Sequence, residues 1–166
     1  MTDDGVERKF DLVVLSAGFQ VSKFLWPMRL VGRQGVTPDD LWVKDGARAY
    51  LGVMLPGLPN FFVAYGPNSQ SRAGGIFSWA EIWSRYIAGA LVKTIEGGHR
   101  SVEVKRAAYD CYNARLDERM SQLTRGAEAG GYYVNEHGRV VVNIPWFSYE
   151  FHAMLFEPDA ADLDFA

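Results

Sequence analysis

The chain has 166 residues, 48% apolar and 22% charged, the balance of an ordinary globular domain with room for one real core. A net charge of −3 gives nucleic acid and acidic membrane surfaces no electrostatic hold, and no segment has the apolar length to span a bilayer. The lone Cys111 excludes an internal disulfide, and the charged start, MTDDGVERKF, is no secretory signal, so the expected location is cytoplasmic.

Phe10 to Leu15 (FDLVVL) is a nearly continuous apolar run, which predicts a strand buried on both faces, as in a parallel sheet. It ends at Ser16-Ala17-Gly18, small residues that permit a sharp turn or a close approach. Residues 20 to 47 are irregular, and Asp39 and Asp40 after Pro38 are expected to cap or solvate a short turn. Tyr50 to Leu55 and Phe61 to Tyr65 predict two further strands, separated by the turn PGLPN.

The loop GPNSQSRAGG follows, and then the clearest helix in the chain. Ile76, Trp79, Ala80, Trp83, Tyr86, Ile87, Ala90, Leu91 and Ile95 recur at helical spacing until Gly97-Gly98. SVEVK at 101 to 105 alternates like an edge strand. A second helix over about 107 to 124 carries Tyr109, Tyr112, Leu116, Met120 and Leu123 on one face. Residues 131 to 142 predict a hairpin turning at Glu136-His137-Gly138, and the last acidic residues are expected to fray.

Chemistry has few places to reside. His99, His137 and His152 have no ligand-type spacing, so no metal site is expected, and no G-x-S-x-G elbow supports serine hydrolysis. Cys111, set among tyrosines, is expected to be a buried, inert thiol. The exception is strand, Gly-rich loop, helix. That unit turns backbone N–H groups with partial positive charge toward a crevice, where a phosphate or a flavin carbonyl would fit. Gly66-Pro67-Asn68 equally suits a plain tight turn, and the local pattern leaves both readings open.

Three segments in order carry a resemblance. DLVVLSAGFQ (11 to 20) resembles the D-x-x-x-x-A-T-G-F segment of class B flavoprotein monooxygenases, and DGARAYLGVMLPGLPNFFVAYGPNS (45 to 69) the stretch that follows it in Baeyer–Villiger monooxygenases. YYVNEHGRVVVNIPW (132 to 146) is most similar to the 4-hydroxyacetophenone monooxygenase branch. The resemblance implies an enzyme that holds FAD, takes hydride from NADPH and inserts oxygen into a ketone or aromatic substrate. It implies cofactor contacts at Ser16, Ala17, Gly18, Gly66, Pro67, Asn68, Ser69, Gly75 and Ile76, with Gln70, Ser71, Arg72 and Ala73 on the substrate side.

The departures are as informative. Ser16-Ala17-Gly18 stands where the family has Ala-Thr-Gly, moving the hydroxyl by one position. Both G-x-G-x-x-G fingerprints, the family's F-x-G-x-x-x-H-x-x-x-W motif and its catalytic arginine are absent from this sequence, so no catalytic residue is assigned. The expectation is an α/β fold: an incomplete, Rossmann-like FAD/NAD(P)-binding domain fragment with two main helices and a C-terminal hairpin. Residues 1–19 would be a linker strand, 45–98 the last FAD-domain strand, loop and helix, and 99–166 a C-terminal helix and substrate-side tail. Alone, the chain is expected to bind neither FAD nor NADPH and to be inactive. An N-terminal partner polypeptide could complete a split enzyme, or the chain could be a flavin-free interaction module.

Overall fold

The computed structural model describes residues 5–124 and 131–166, so the first four residues of the expected linker strand lie outside it. Helix α1 (Pro38–Trp42) begins where proline fixes the first helical angle. Thr37 and Asp40 cap it reciprocally: the Thr37 N–H donates to Asp40 Oδ2 at 2.9 Å, and the Asp40 N–H to Thr37 Oγ1 at 3.2 Å. The Thr37 hydroxyl, which donates to Asp40 Oδ2 at 2.6 Å, and the Thr37 N–H hold the Asp40 carboxyl below the usual range, so Asp40 has the capping role expected of it.

Helix α2 (Ile76–Glu96) runs as its periodicity predicts and buries Trp79, Trp83, Tyr86, Ala90 and Thr94. Its apolar stripe is wider than its buried face, because Ile76, Leu91 and Ile95 remain exposed. Strand β1 (Val102–Val104) leads into α3 (Arg106–Thr124), which buries Tyr109, Tyr112, Leu116 and Met120. Helix α4 (Ser148–Met154) was not expected from the Pro- and aromatic-rich tail. Its start is held by the Phe147 N–H, which donates to Glu150 Oε2 at 2.8 Å. Trp146 and Phe151 stack at 6.2 Å with planes 3° apart, and Phe151 also meets Trp79, so α4 closes the aromatic core over α2.

Five expectations are overturned, among them the strand expected at residues 61–65, which keeps only an isolated bridge. The acidic C-terminus does not fray: β2 (Leu163–Phe165) pairs antiparallel with β1, in the register Val102↔Phe165 and Val104↔Leu163. Apolar Leu163 and Phe165 between carboxylates gave that strand its anchors, and Leu163 is buried. Residues 50–55 form a turn, with Leu51 and Gly52 at positive φ, and meet residues 61–65 only through the bridge Met54↔Phe62. Cys111 is exposed on the outer side of α3, one position away from the buried Tyr112. Most telling, Phe10 to Leu15 forms no strand, and its apolar residues are 66–89% exposed. A run that is apolar on both faces is stable only between neighbouring strands, and none of the described residues pairs with it. Among the described residues no helix is long and apolar enough to cross a membrane.

That uncovered stretch leads to a measurable expectation. The isolated chain should bind a hydrophobic dye or self-associate on sizing, because monomers rarely expose contiguous apolar patches beyond about 300–600 Å². A sharp monomer peak without dye binding would contradict it.

Candidate functional site

The loop at 66–75 divides into a buried half and an exposed half. Gly66 must be glycine on packing grounds, since a Cβ there would lie 2.3 Å from the Gly52 carbonyl oxygen. Asn68 sits at φ +51°, a conformation asparagine tolerates better than most residues, and is fully buried. Its side chain is completely engaged. Nδ2 donates to the carbonyls of Val140 and Asn143, both at 2.9 Å, and Oδ1 accepts from Arg139 Nη2 at 2.7 Å. Ser69 Oγ donates to the Gly66 carbonyl at 2.7 Å, and the Asn68 and Gln70 N–H groups donate to Val141 and Val142. Gly66 to Ser69 is therefore a tight turn whose two polar side chains are satisfied inside the protein.

The exposed half is different. Gln70 is held by Tyr65, whose hydroxyl donates to Gln70 Oε1 at 2.7 Å, and Ser71 Oγ lies 2.7 Å from Ser148 Oγ at the start of α4. Arg72, Ala73 and Gly74 are exposed. Gly74 needs its φ of +85° to bring the Ala73 carbonyl to Trp79 Nε1 at 2.8 Å. Gly75 has φ −79° and nothing within 4 Å of an added Cβ, so close helix packing does not explain it. No side chain caps α2. Ser78 and Trp79 donate to the Gly75 carbonyl, whereas the Ile76 and Phe77 N–H groups, which have no intrahelical acceptor, open beside their own exposed side chains.

Ser16, Ala17 and Gly18 lie on an exposed segment without regular structure, but they are not adrift. The Phe19 N–H donates to the Tyr132 hydroxyl at 3.2 Å, and a Cβ on Gly18 would be 3.1 Å from the Tyr132 ring. Sequence reasoning missed the residues that hold the site together. Arg139, with a side chain 11% exposed, donates to Asn68, to the Ala47 carbonyl at 2.6 Å and to Asp117 at 3.5 Å. Asp117 on α3 also pairs with Arg48 at 2.7 Å, and Arg48 pairs with Asp45. Burial and the neighbouring Arg48 charge lower the Arg139 pKa. A lone arginine in a hairpin carries no signal in sequence; the turn Asn135–Gly138 that presents it does.

Arg48 beside Asp45 holds that carboxyl below its usual range, although burial opposes the shift. A depressed carboxylate pKa stabilises the folded state above the unfolded value of about 3.9, and this is lost as pH falls through the folded value. The Asp45–Arg48–Asp117–Arg139 cluster should accordingly loosen below about pH 4. Amide exchange at Asn68 and Gln70 measured at pH 3 and pH 6 would show faster opening in acid, after correction for intrinsic rates.

Comparison with known proteins then narrows the reading. No family model matches the sequence. An uncharacterized monooxygenase of Sinorhizobium fredii is 31% identical over 161 residues, 96% of this chain and 24% of that protein. An uncharacterized monooxygenase of Mycobacterium bovis is 35% identical over 138 residues, 83% of this chain and 28% of the relative. An FAD-binding monooxygenase of Aspergillus niger is 29% identical over 150 residues, 87% of this chain and 24% of that one. The chain thus spans about a quarter of the length of the curated relatives it matches. Its fold matches part of cyclohexanone monooxygenase from Rhodococcus sp. Phi1 bound to NADP+, with a TM-score of 0.81 at 21% identity. That match takes in 99% of this chain and 32% of the solved one. An oxidized steroid monooxygenase bound to NADP matches with a TM-score of 0.69 at 21% identity, over 82% of this chain and 26% of that one. In sequence the chain is similar to one portion of monooxygenases, one of them FAD-binding, and in fold to one portion of cyclohexanone and steroid monooxygenases.

Proposed function

We propose that this chain supplies one wall of the flavin site of an FAD- and NADPH-dependent monooxygenase that inserts oxygen into ketones, acts in the cytoplasm and is inactive alone. The observation that carries the reading is the uncapped start of α2 behind an open Gly75, in a chain similar to an FAD-binding monooxygenase over 150 residues. The fit is one of donor chemistry. The Gly75, Ile76 and Phe77 N–H groups and the positive end of a 21-residue helix would face an electron-rich edge, such as a flavin carbonyl. Bound there, the flavin would supply the redox chemistry. The chain's own groups would orient it and favour negative charge where it develops.

In this reading Gly66, Pro67, Asn68 and Ser69 act through the shape of their backbone, since the Asn68 and Ser69 side chains are spent on internal bonds. Ser16, Ala17 and Gly18 approach the cofactor from the exposed N-terminal segment, and Gln70 to Ala73 line the substrate side. The YYVNEHGRVVVNIPW tail supports the 4-hydroxyacetophenone branch, hence an aromatic ketone, although none of the relatives described above bears that name. The remaining strands would come from further polypeptide, covalently joined or a separate N-terminal partner. The exposed, doubly apolar stretch around Leu12 to Leu15 favours such a source over a self-contained interaction module.

The test is a hybrid in which this chain replaces the matching 24% of the Sinorhizobium fredii relative. The hybrid should purify yellow with about one FAD per molecule, and the isolated chain should release no flavin on denaturation. A colourless folded hybrid, or a stoichiometrically yellow isolated chain, would refute the proposal.

A further inference from the structure

Two segments assigned to the cofactor, Ser16–Gly18 and Gly66–Ser69, are far apart in sequence, yet one hairpin touches both. Its tip is rigid. Asn135 Oδ1 accepts from the His137 and Arg139 N–H groups at 3.1 and 2.9 Å, and the Gly138 N–H donates back to the Asn135 carbonyl at 3.0 Å. Asn135 Nδ2 also donates to the Asp45 carbonyl at 2.8 Å, which ties the tip to the body of the fold. From this base one arm reaches each segment. Tyr132 presents its hydroxyl to the Phe19 N–H and lays its ring against Gly18, whose missing Cβ makes room. Arg139, with the Val140, Val141 and Val142 carbonyls, holds Asn68 and Gln70.

We propose that the hairpin at residues 131–142 is a positioning element that sets the spacing of the two cofactor-facing segments, with Tyr132 and Arg139 as its two positioning residues. Simple core packing does not account for the first arm. Residues 10–20 are all exposed, so burial does not decide where they lie, and a directional bond must. Nor does packing account for the second. A buried guanidinium whose fork spans Asn68, Ala47 and Asp117 fixes distance and angle together, which no apolar side chain does. The inference rests on the reading that both segments face the cofactor, but its test needs no flavin, so the hybrid experiment and this one fail independently.

Spin labels at Ala17→Cys and Ala64→Cys, in a Cys111→Ser background of the full chain, report the spacing directly. A single narrow distance distribution is expected. Tyr132→Phe, which keeps the ring and removes the hydroxyl, should broaden it without altering far-UV circular dichroism. Arg139→Met should speed amide exchange at Asn68 and Gln70 about tenfold, the effect of losing the charge-assisted bond to Asn68, and leave the middle of α2 unchanged. A distribution already broad in the parent, or one unmoved by Tyr132→Phe together with unchanged exchange in Arg139→Met, would overturn the proposal. If Arg139→Met does not fold, the Tyr132→Phe distribution decides alone.

Discussion

Replacing Phe151 with alanine is expected to cost about 3–5 kcal/mol of unfolding free energy, the range for deleting a buried ring and leaving its cavity. Phe151 is 0% exposed and lies between Trp79 of α2 and Trp146, with ring centroids at 5.6 and 6.2 Å. Removing it uncouples α4 from the rest of the core, and α4 carries the Ser148 that meets the candidate loop at Ser71. Domains have only about 5–15 kcal/mol to lose, so this one change should remove from about a fifth to all of the stability. Urea unfolding followed by tryptophan fluorescence measures it, since Trp79 and Trp146 flank the Phe151 ring. A loss below about 1 kcal/mol, the size of a surface substitution, would mean that α4 does not close this core.

The second large effect has opposite consequences in two settings. The double substitution Val13→Lys, Leu15→Lys places two charges on one side of an exposed stretch. In the isolated chain it should change stability by no more than about 0.5 kcal/mol, as surface substitutions do, and should remove dye binding and self-association. In the hybrid the same two lysines would be forced between strands of a covered sheet. An unpaired ammonium there costs several kcal/mol, so flavin retention should be lost. Sizing of the isolated chain and flavin absorbance of the hybrid provide the two readings. Full flavin retention in the doubly substituted hybrid would show that this stretch faces solvent in the assembled protein as well.

What sequence revealed and what it hid follow from the range of the interactions. α2 and α3 were legible because helix periodicity and the Gly97-Gly98 stop are local, and the hairpin because Asn135 and Gly138 write its turn. The expected strands at 10–15, 50–55 and 61–65 did not form as regular strands. An apolar run specifies burial, but only a neighbour converts it into a strand, and a neighbour is not encoded in the run itself. β2 was hidden for the converse reason: three residues, Leu163 to Phe165, become a strand because β1 lies alongside. The loop at 66–75 was legible as a glycine-rich unit before a helix, but its division into two halves was not. Gly66 to Ser69 is the tight turn, and Gly74-Gly75 opens the helix end. Arg139 and Asp117 could not have been found, because their meeting depends on tertiary placement of single charges.

The account turns on whether the start of α2 faces the flavin, and the midpoint potential of the Gly75→Pro hybrid tests that most directly. Proline suits the position: φ is −79°, close to the proline range, and a Cβ there meets nothing within 4 Å, so the variant should fold. What it removes is one N–H donor at the positive end of the helix. A charge at a helix terminus is worth about 0.3–1 kcal/mol. For a two-electron couple, with 30 mV equal to about 1.4 kcal/mol, the bound flavin should become harder to reduce by roughly 6–20 mV. Weaker flavin binding should accompany the shift. A folded Gly75→Pro hybrid with unchanged potential and unchanged flavin affinity would contradict the placement of α2 against the cofactor.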